Sequence, residues 1–113
     1  MEPRLSTSVL VSALMRRAES DGGFAMVLAK GDATAGSVIV ILTEKGRKQR
    51  ILERILQTDG GYLWQQTITQ AAENEVEFER FLTRRRKIDP DLWLIELDVA
   101  SAERFAAEMN FSD

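Results

Sequence analysis

The residues of this chain that could do chemistry are carboxylates, guanidiniums and glycine-flanked backbone, because the sequence holds no histidine and no cysteine. That absence removes zinc fingers, imidazole general bases, thiol nucleophiles, disulfides and His-based triads together. A hard cation such as Mg²⁺ on oxygen ligands is the metal chemistry still open. Its candidate ligands are Asp32, Asp89, Asp91 and Glu96. Asp89 and Asp91 flank Pro90, however, so their side chains need not converge, and turn chemistry accounts for both. Glu96 lies in an apolar strand pattern, where it can face solvent or pair with an arginine. No catalytic residue, metal ligand set or cofactor is assigned on these grounds.

Two segments suit an anion better than a metal. In Gly31-Asp32-Ala33-Thr34-Ala35-Gly36 the glycines would let backbone amides approach a phosphate. The segment lacks the Lys and Ser/Thr of a P-loop, and no helix is expected after it. Its plain reading is a glycine-dependent turn with Gly31 or Gly36 at positive φ. Arg84-Arg85-Arg86-Lys87 would contact phosphates, joined by Arg16 and Arg17 if the two helix ends meet in space. The plain reading here is cations complementing the negative end of a helix. No aromatic side chains interleave with these cations, and a net charge of -3 gives no general attraction to nucleic acid. Nucleic acid is therefore not an expected partner. The candidate ligand-binding residues are Arg16, Arg17, Gly31, Asp32, Gly36, Arg84 and Arg86. Arg85 falls on an apolar helix face, where its stem would pack. Trp64 and Trp93 could stack on a ring, but strand tryptophans are expected in the core.

The elements that must position these groups follow from periodicity and punctuation. Residues 6–20 read as a helix with Leu10, Ala13, Leu14 and Arg17 on one face, a Ser6 or Ser8 cap and a Gly22-Gly23 stop. Phe24–Ala29 and Ser37–Thr43 read as two strands of a hairpin joined through the glycine-bounded loop. Val38 to Leu42 is apolar on both faces and belongs in a central, doubly covered strand. Glu44-Lys45-Gly46-Arg47 is a turn. Gln49–Gln57 has helix-like spacing, but Thr58-Asp59-Gly60-Gly61 and then Tyr62-Leu63-Trp64 favour a strand within a hairpin. Asn74 to Lys87 is the clearest helix, with Asn74 and Glu77 as a capping pair and charges graded along the dipole. Pro90 ends it, Leu92–Val99 is a last strand, and Ser101 caps a short helix burying Ala102, Phe105, Ala106 and Met109. The expectation is one α+β domain over residues 1–113: a mostly antiparallel sheet of about five strands, with two to three helices packed on it and 101–113 as a short helix and tail.

Composition agrees. A chain of 113 residues with 44% hydrophobic and 29% charged residues builds one soluble core without staples. Its longest apolar run, Val38 to Leu42, is far short of the roughly 20 residues of a membrane span. No signal peptide is read at the N-terminus, so the cytoplasm is the expected location and no membrane partner is expected.

Several blocks occur together in order: Arg16-Arg17 at the end of a first helix, Gly31-Asp32-x-x-Ala35-Gly36-x-Val38, Trp64 after a glycine turn, and Asp89-Pro90-Asp91-Leu92-Trp93-Leu94-Ile95-Glu96. With these the chain resembles a family of small alphaproteobacterial proteins known only as a domain of unknown function, DUF1491. The resemblance runs from Leu5 to Asp98 and leaves Ser101–Asp113 outside. It implies a bacterial, intracellular, free-standing domain and carries over no catalytic residue. The leading expectation is a non-enzymatic module that binds a protein or small ligand, self-association included. The alternatives are a nucleic-acid or phosphate-ligand binder using the basic residues, and a small Mg²⁺-dependent enzyme using the carboxylates.

Overall fold

The computed structural model describes residues 6–68 and 75–111. Along the chain run α1 (Thr7–Ser20), β1 (Phe24–Ala29), β2 (Val38–Glu44), β3 (Arg47–Leu56), β4 (Tyr62–Ile68), α2 (Glu75–Ile88), β5 (Trp93–Asp98) and α3 (Ala102–Phe111). The strands form one sheet in the order β1-β5-β2-β3-β4. Its pairs are antiparallel except β2 with β5, which is parallel. This is the expected α+β architecture. No helix among the described residues is long and apolar enough to cross a membrane.

Alternation along the central strands sends two sets of side chains to opposite faces. Val38, Val40 and Leu42 of β2 and Trp93, Ile95 and Leu97 of β5 pack against Val11, Leu14 and Ala18 of α1 and Phe105 and Met109 of α3. Ile39, Ile41, Ile51 and Leu94 pack against Phe78 and Leu82 of α2. The sheet is thus covered by α1 and α3 on one side and by α2 on the other. β2 is buried from Val38 through Thr43, as its two-sided apolar pattern requires. Each apolar side chain from Val38 to Leu42 contributes about 1.5–3 kcal/mol on burial.

The expected hairpin of β1 with β2 does not form. β5 lies between them, antiparallel to β1 and parallel to β2. The reason is burial: Trp93, Leu94, Ile95 and Leu97 give β5 apolar residues on both faces, and pairing β1 with β2 would have left them at an edge. The parallel pair needs a long crossover, and the path through β3, β4 and α2 supplies it. The glycine-bounded loop is therefore a bridge across the start of β5, where Trp93 N donates to Ser37 O at 2.8 Å.

The two expected hairpins on the other side are present. β2 turns into β3 through Lys45 and Gly46, with φ of 52° and 80°, the paired left-handed geometry that suits a two-residue hairpin. The segment read over Gln49–Gln57 is strand β3, and Gly60 at φ 90° closes the turn into β4. α1 stops at Gly22, φ 87°. Its buried line is Thr7, Val11, Leu14 and Ala18, while Ala13 is exposed. The helical period was right but the face is rotated, because Thr7 is drawn inward by its hydroxyl bond to Gly36 O at 3.0 Å. Ser6 is the N-cap residue but makes no side-chain cap bond. The amides of Thr7 and Ser8 instead donate to Thr34 O and Ala33 O at 3.2 and 2.9 Å. The Asn74 capping pair lies outside the described residues. Ser101 does cap α3, accepting from Arg104 N at 3.2 Å, and its four expected inward residues are buried.

Candidate interaction surface

The glycine-bounded loop and the Asp-Pro-Asp turn, far apart in sequence, meet. Asp32 N donates to Asp91 O at 3.0 Å, and Trp93 Nε1 donates to Asp32 O at 2.7 Å. Neither Gly31 nor Gly36 has the positive φ expected of it; Gly22, Gly46 and Gly60 are the glycines that do. Gly31 and Gly36 are needed for another reason. A Cβ at either would overlap the Asp91 carbonyl oxygen, so a backbone-to-backbone approach excludes any side chain. The Asp32 carboxylate is occupied within its own loop by Thr34 N and Ala35 N, at 3.2 and 2.8 Å. Asp89 Oδ1 likewise accepts from Asp91 N at 3.1 Å. The loop is a structural clasp, and among the described residues no three carboxylates gather as a cation site.

The basic residues do not gather either. α1 and α2 lie on opposite faces of the sheet, which separates Arg16 and Arg17 from Arg84–Lys87. Arg17 binds Glu108 at 2.6 Å and lies 5.2 Å from the centre of the Phe105 ring, tying α1 to α3. Hydrogen bonds from Arg104 and then Arg17 hold the Glu108 carboxyl below its ordinary value, against a smaller opposing effect of burial. Arg16 and Arg84 are exposed. Arg86 lines a depression of about 340 Å³ with Leu28, Ala29, Lys30, Asp89 and Pro90, at the C-terminal end of β1.

That depression adjoins the most unusual surface of the molecule. β1 is an edge strand of six residues, Phe24-Ala25-Met26-Val27-Leu28-Ala29, with no charge and no proline. Phe24 is 74% exposed and Met26 57%, and Val27 and Leu28 are exposed beside them. The pairing of β1 with β5 is irregular between Val27 and Ala29, and edge strands are ordinarily blunted by such bulges, by lysine or proline, or by a covering group. The opposite edge, β4, has such a cover: Asn110 of α3 accepts from Trp64 N at 2.8 Å and donates to Trp64 O at 3.0 Å. Among the described residues no side chain does this for β1. The sequence reading missed this surface because it paired β1 with β2. The uncharged run itself was the signal.

The comparisons with known proteins agree with the fold. The family described as "Protein of unknown function (DUF1491)" matches residues 5–107, which extends the likeness past Asp98 into α3. A crystal structure of a DUF1491 family protein from Caulobacter crescentus CB15 is 35% identical, with a TM-score of 0.78 over 90% of this chain and 94% of that one. An NMR structure of a DUF1491 family protein from the same organism gives 34% and 0.77 over 92% and 94%. The solution structure of protein Atu0922 from A. tumefaciens gives 28% and 0.74 over 91% and 92%. No curated protein matches. With a fold shared over nearly its full length and a family match from residue 5 to 107, the chain belongs to the DUF1491 family.

Proposed function

We propose that this protein is a non-enzymatic interaction module whose docking element is the open edge of β1. The observation that carries this reading is the uncharged, apolar strand Phe24–Ala29 at a sheet edge, exposed where the other edge is covered. A strand added along the regular part of β1, Phe24 to Val27, would gain main-chain hydrogen bonds, with Phe24 and Met26 supplying apolar contact. The engaged state of Asp32 and Asp89 leaves them poorly suited to acid–base work, and the separation of the two basic clusters favours a protein over a nucleic acid.

Site-specific photo-crosslinking tests this directly. Phe24→p-benzoylphenylalanine, irradiated in cells that express the chain, is expected to give a discrete protein adduct. Ala13→p-benzoylphenylalanine, at an exposed site on α1, is expected to give none. Equal labelling from both sites, or none from Phe24, would sink the reading.

A further inference from the structure

We infer that the segment docking on β1 is an extended stretch of another protein, apolar over Phe24 and Met26, that carries a carboxylate into the depression at the strand's C-terminal end. This rests on the docking role of β1 proposed above and adds the chemistry of the partner.

The strand and the depression are continuous, since Leu28 and Ala29 belong to both. In the ladder with β5, Val27 faces Ile95 and Ala29 faces Leu94, so Leu28 is the extra residue of the irregularity. A docked segment follows the regular part, Phe24 to Val27, and past it meets the depression. The two stretches suit different chemistry. Ala25 packs on the α1 and α3 side of the sheet, so alternation turns Phe24 and Met26 to the α2 side, where both are exposed. They offer apolar contact only. The depression adds two cations, Lys30 and Arg86, to walls that include Leu28, Pro90 and Leu92. Neither cation has an ion-pair partner among the described residues. Asp89 also lines it, but its carboxylate already accepts from Asp91 N. The depression is therefore net positive, and its apolar walls strengthen the hold of two cations on a carboxylate.

Glu96 gives the site its polarity. It is the register partner of Met26 and shares its side of the sheet. A carboxylate placed over Met26 is repelled by Glu96, while one placed beyond Leu28 is attracted by Lys30 and Arg86. Charge thus fixes which end of the segment is acidic. Two sources of that carboxylate fit: an Asp or Glu side chain, or the C-terminus of a segment running parallel to β1.

Peptide display on the immobilised full chain tests the inference. The probe is a library of random linear peptides with free C-termini. Enriched peptides are expected to join apolar residues to an acidic residue or an acidic end. The tightest of them, made by synthesis, is expected to lose binding to Met26→Lys. Lys30→Glu and Arg86→Glu are each expected to weaken it about tenfold. All three positions are exposed, so each variant is expected to keep the parent's circular dichroism spectrum and melting curve. Weakening on amidation of the peptide assigns the anchor to its chain end; weakening on Asp→Asn or Glu→Gln in the peptide assigns it to a side chain. Binding that is lost with Met26→Lys but indifferent to both charge reversals keeps β1 as a docking edge and overturns the carboxylate anchor. No enrichment, or peptides bound equally by the parent and Met26→Lys, overturns both.

Discussion

Arg85 grips Glu53 through both terminal guanidinium nitrogens, each 2.6 Å from a carboxylate oxygen. The pair ties α2 to β3 across the sheet face, with only 26% and 13% of the two side chains exposed. The bond to Glu53 holds the Arg85 proton more firmly than usual; partial burial opposes it and the charges of Glu53 and Asp89 assist. Lysine cannot reproduce the fork. Arg85→Lys is expected to cost about 1–2 kcal/mol and Glu53→Gln about 1–3 kcal/mol. Urea unfolding of both singles and the double closes a mutant cycle, and additive losses would show that the pair contributes nothing as a pair.

Asp98 is an expected source of acid sensitivity, beside Glu108. Its carboxylate accepts from Gly46 N at 2.7 Å, Thr43 Oγ1 at 3.0 Å and Lys45 N at 3.2 Å, locking the β2–β3 turn to the end of β5. The Gly46 amide bond is the largest cause of its lowered pKa, with burial opposing and the Thr43 and Lys45 bonds assisting. A carboxyl whose folded pKa is depressed binds fewer protons folded than unfolded. Its stabilisation is therefore complete above the unfolded value of about 3.9 and is lost as pH falls through the folded value. Between about pH 6 and pH 3 the parent should lose more stability than Asp98→Asn. Parallel losses in chemical denaturation would contradict this.

The clasp predicts an order among glycine substitutions. Gly31→Ala and Gly36→Ala force a side chain into the Asp91 carbonyl and are expected to cost about 3 kcal/mol or more. Gly60→Ala meets open space and strains only a φ of 90°, for about 1 kcal/mol. The opposite order in thermal melts would mean that the loop yields where the packing says it cannot.

Trp93 is buried against α1 and α3 and bonds Asp32 O. Trp93→Ala is expected to cost about 3–5 kcal/mol. Trp93→Phe keeps most of the volume and leaves that carbonyl with the longer bond from Gly36 N at 3.3 Å, for about 0.5–1.5 kcal/mol. Equal losses from the two variants would assign the role to packing alone.

Local punctuation was the legible part of this fold. Gly22, Lys45-Gly46 and Gly60 mark element ends wherever the chain itself demands left-handed backbone, and each turn is found where its residues place it. The apolar pattern of Val38–Leu42 likewise announced the central strand. Strand neighbours were not legible. Phe24–Ala29 and Val38–Glu44 are close in sequence, but burial of β5 decides their pairing, and that is a property of the whole sheet. The same gap hid the candidate site, since an apolar strand reads alike whether covered or bare. Glu53, Asp98 and Asn110 escaped notice because a lone polar residue takes its role from a partner brought near by folding.

The place of β5 between β1 and β2 sets a timetable for the nascent chain. The meander β2-β3-β4 uses short turns and can close while later residues are still being added. β1 is made first among the described strands, yet its neighbour in the sheet, β5, is made last. Until Trp93–Asp98 emerges, Phe24–Ala29 has no strand to pair with inside its own chain, and its apolar residues stay accessible through most of synthesis. A long-range contact of this kind slows the final step of folding. A ribosome that stalls before Trp93 would release a sheet of three strands with a sticky N-terminal arm, the species best matched to chaperones and most prone to aggregate.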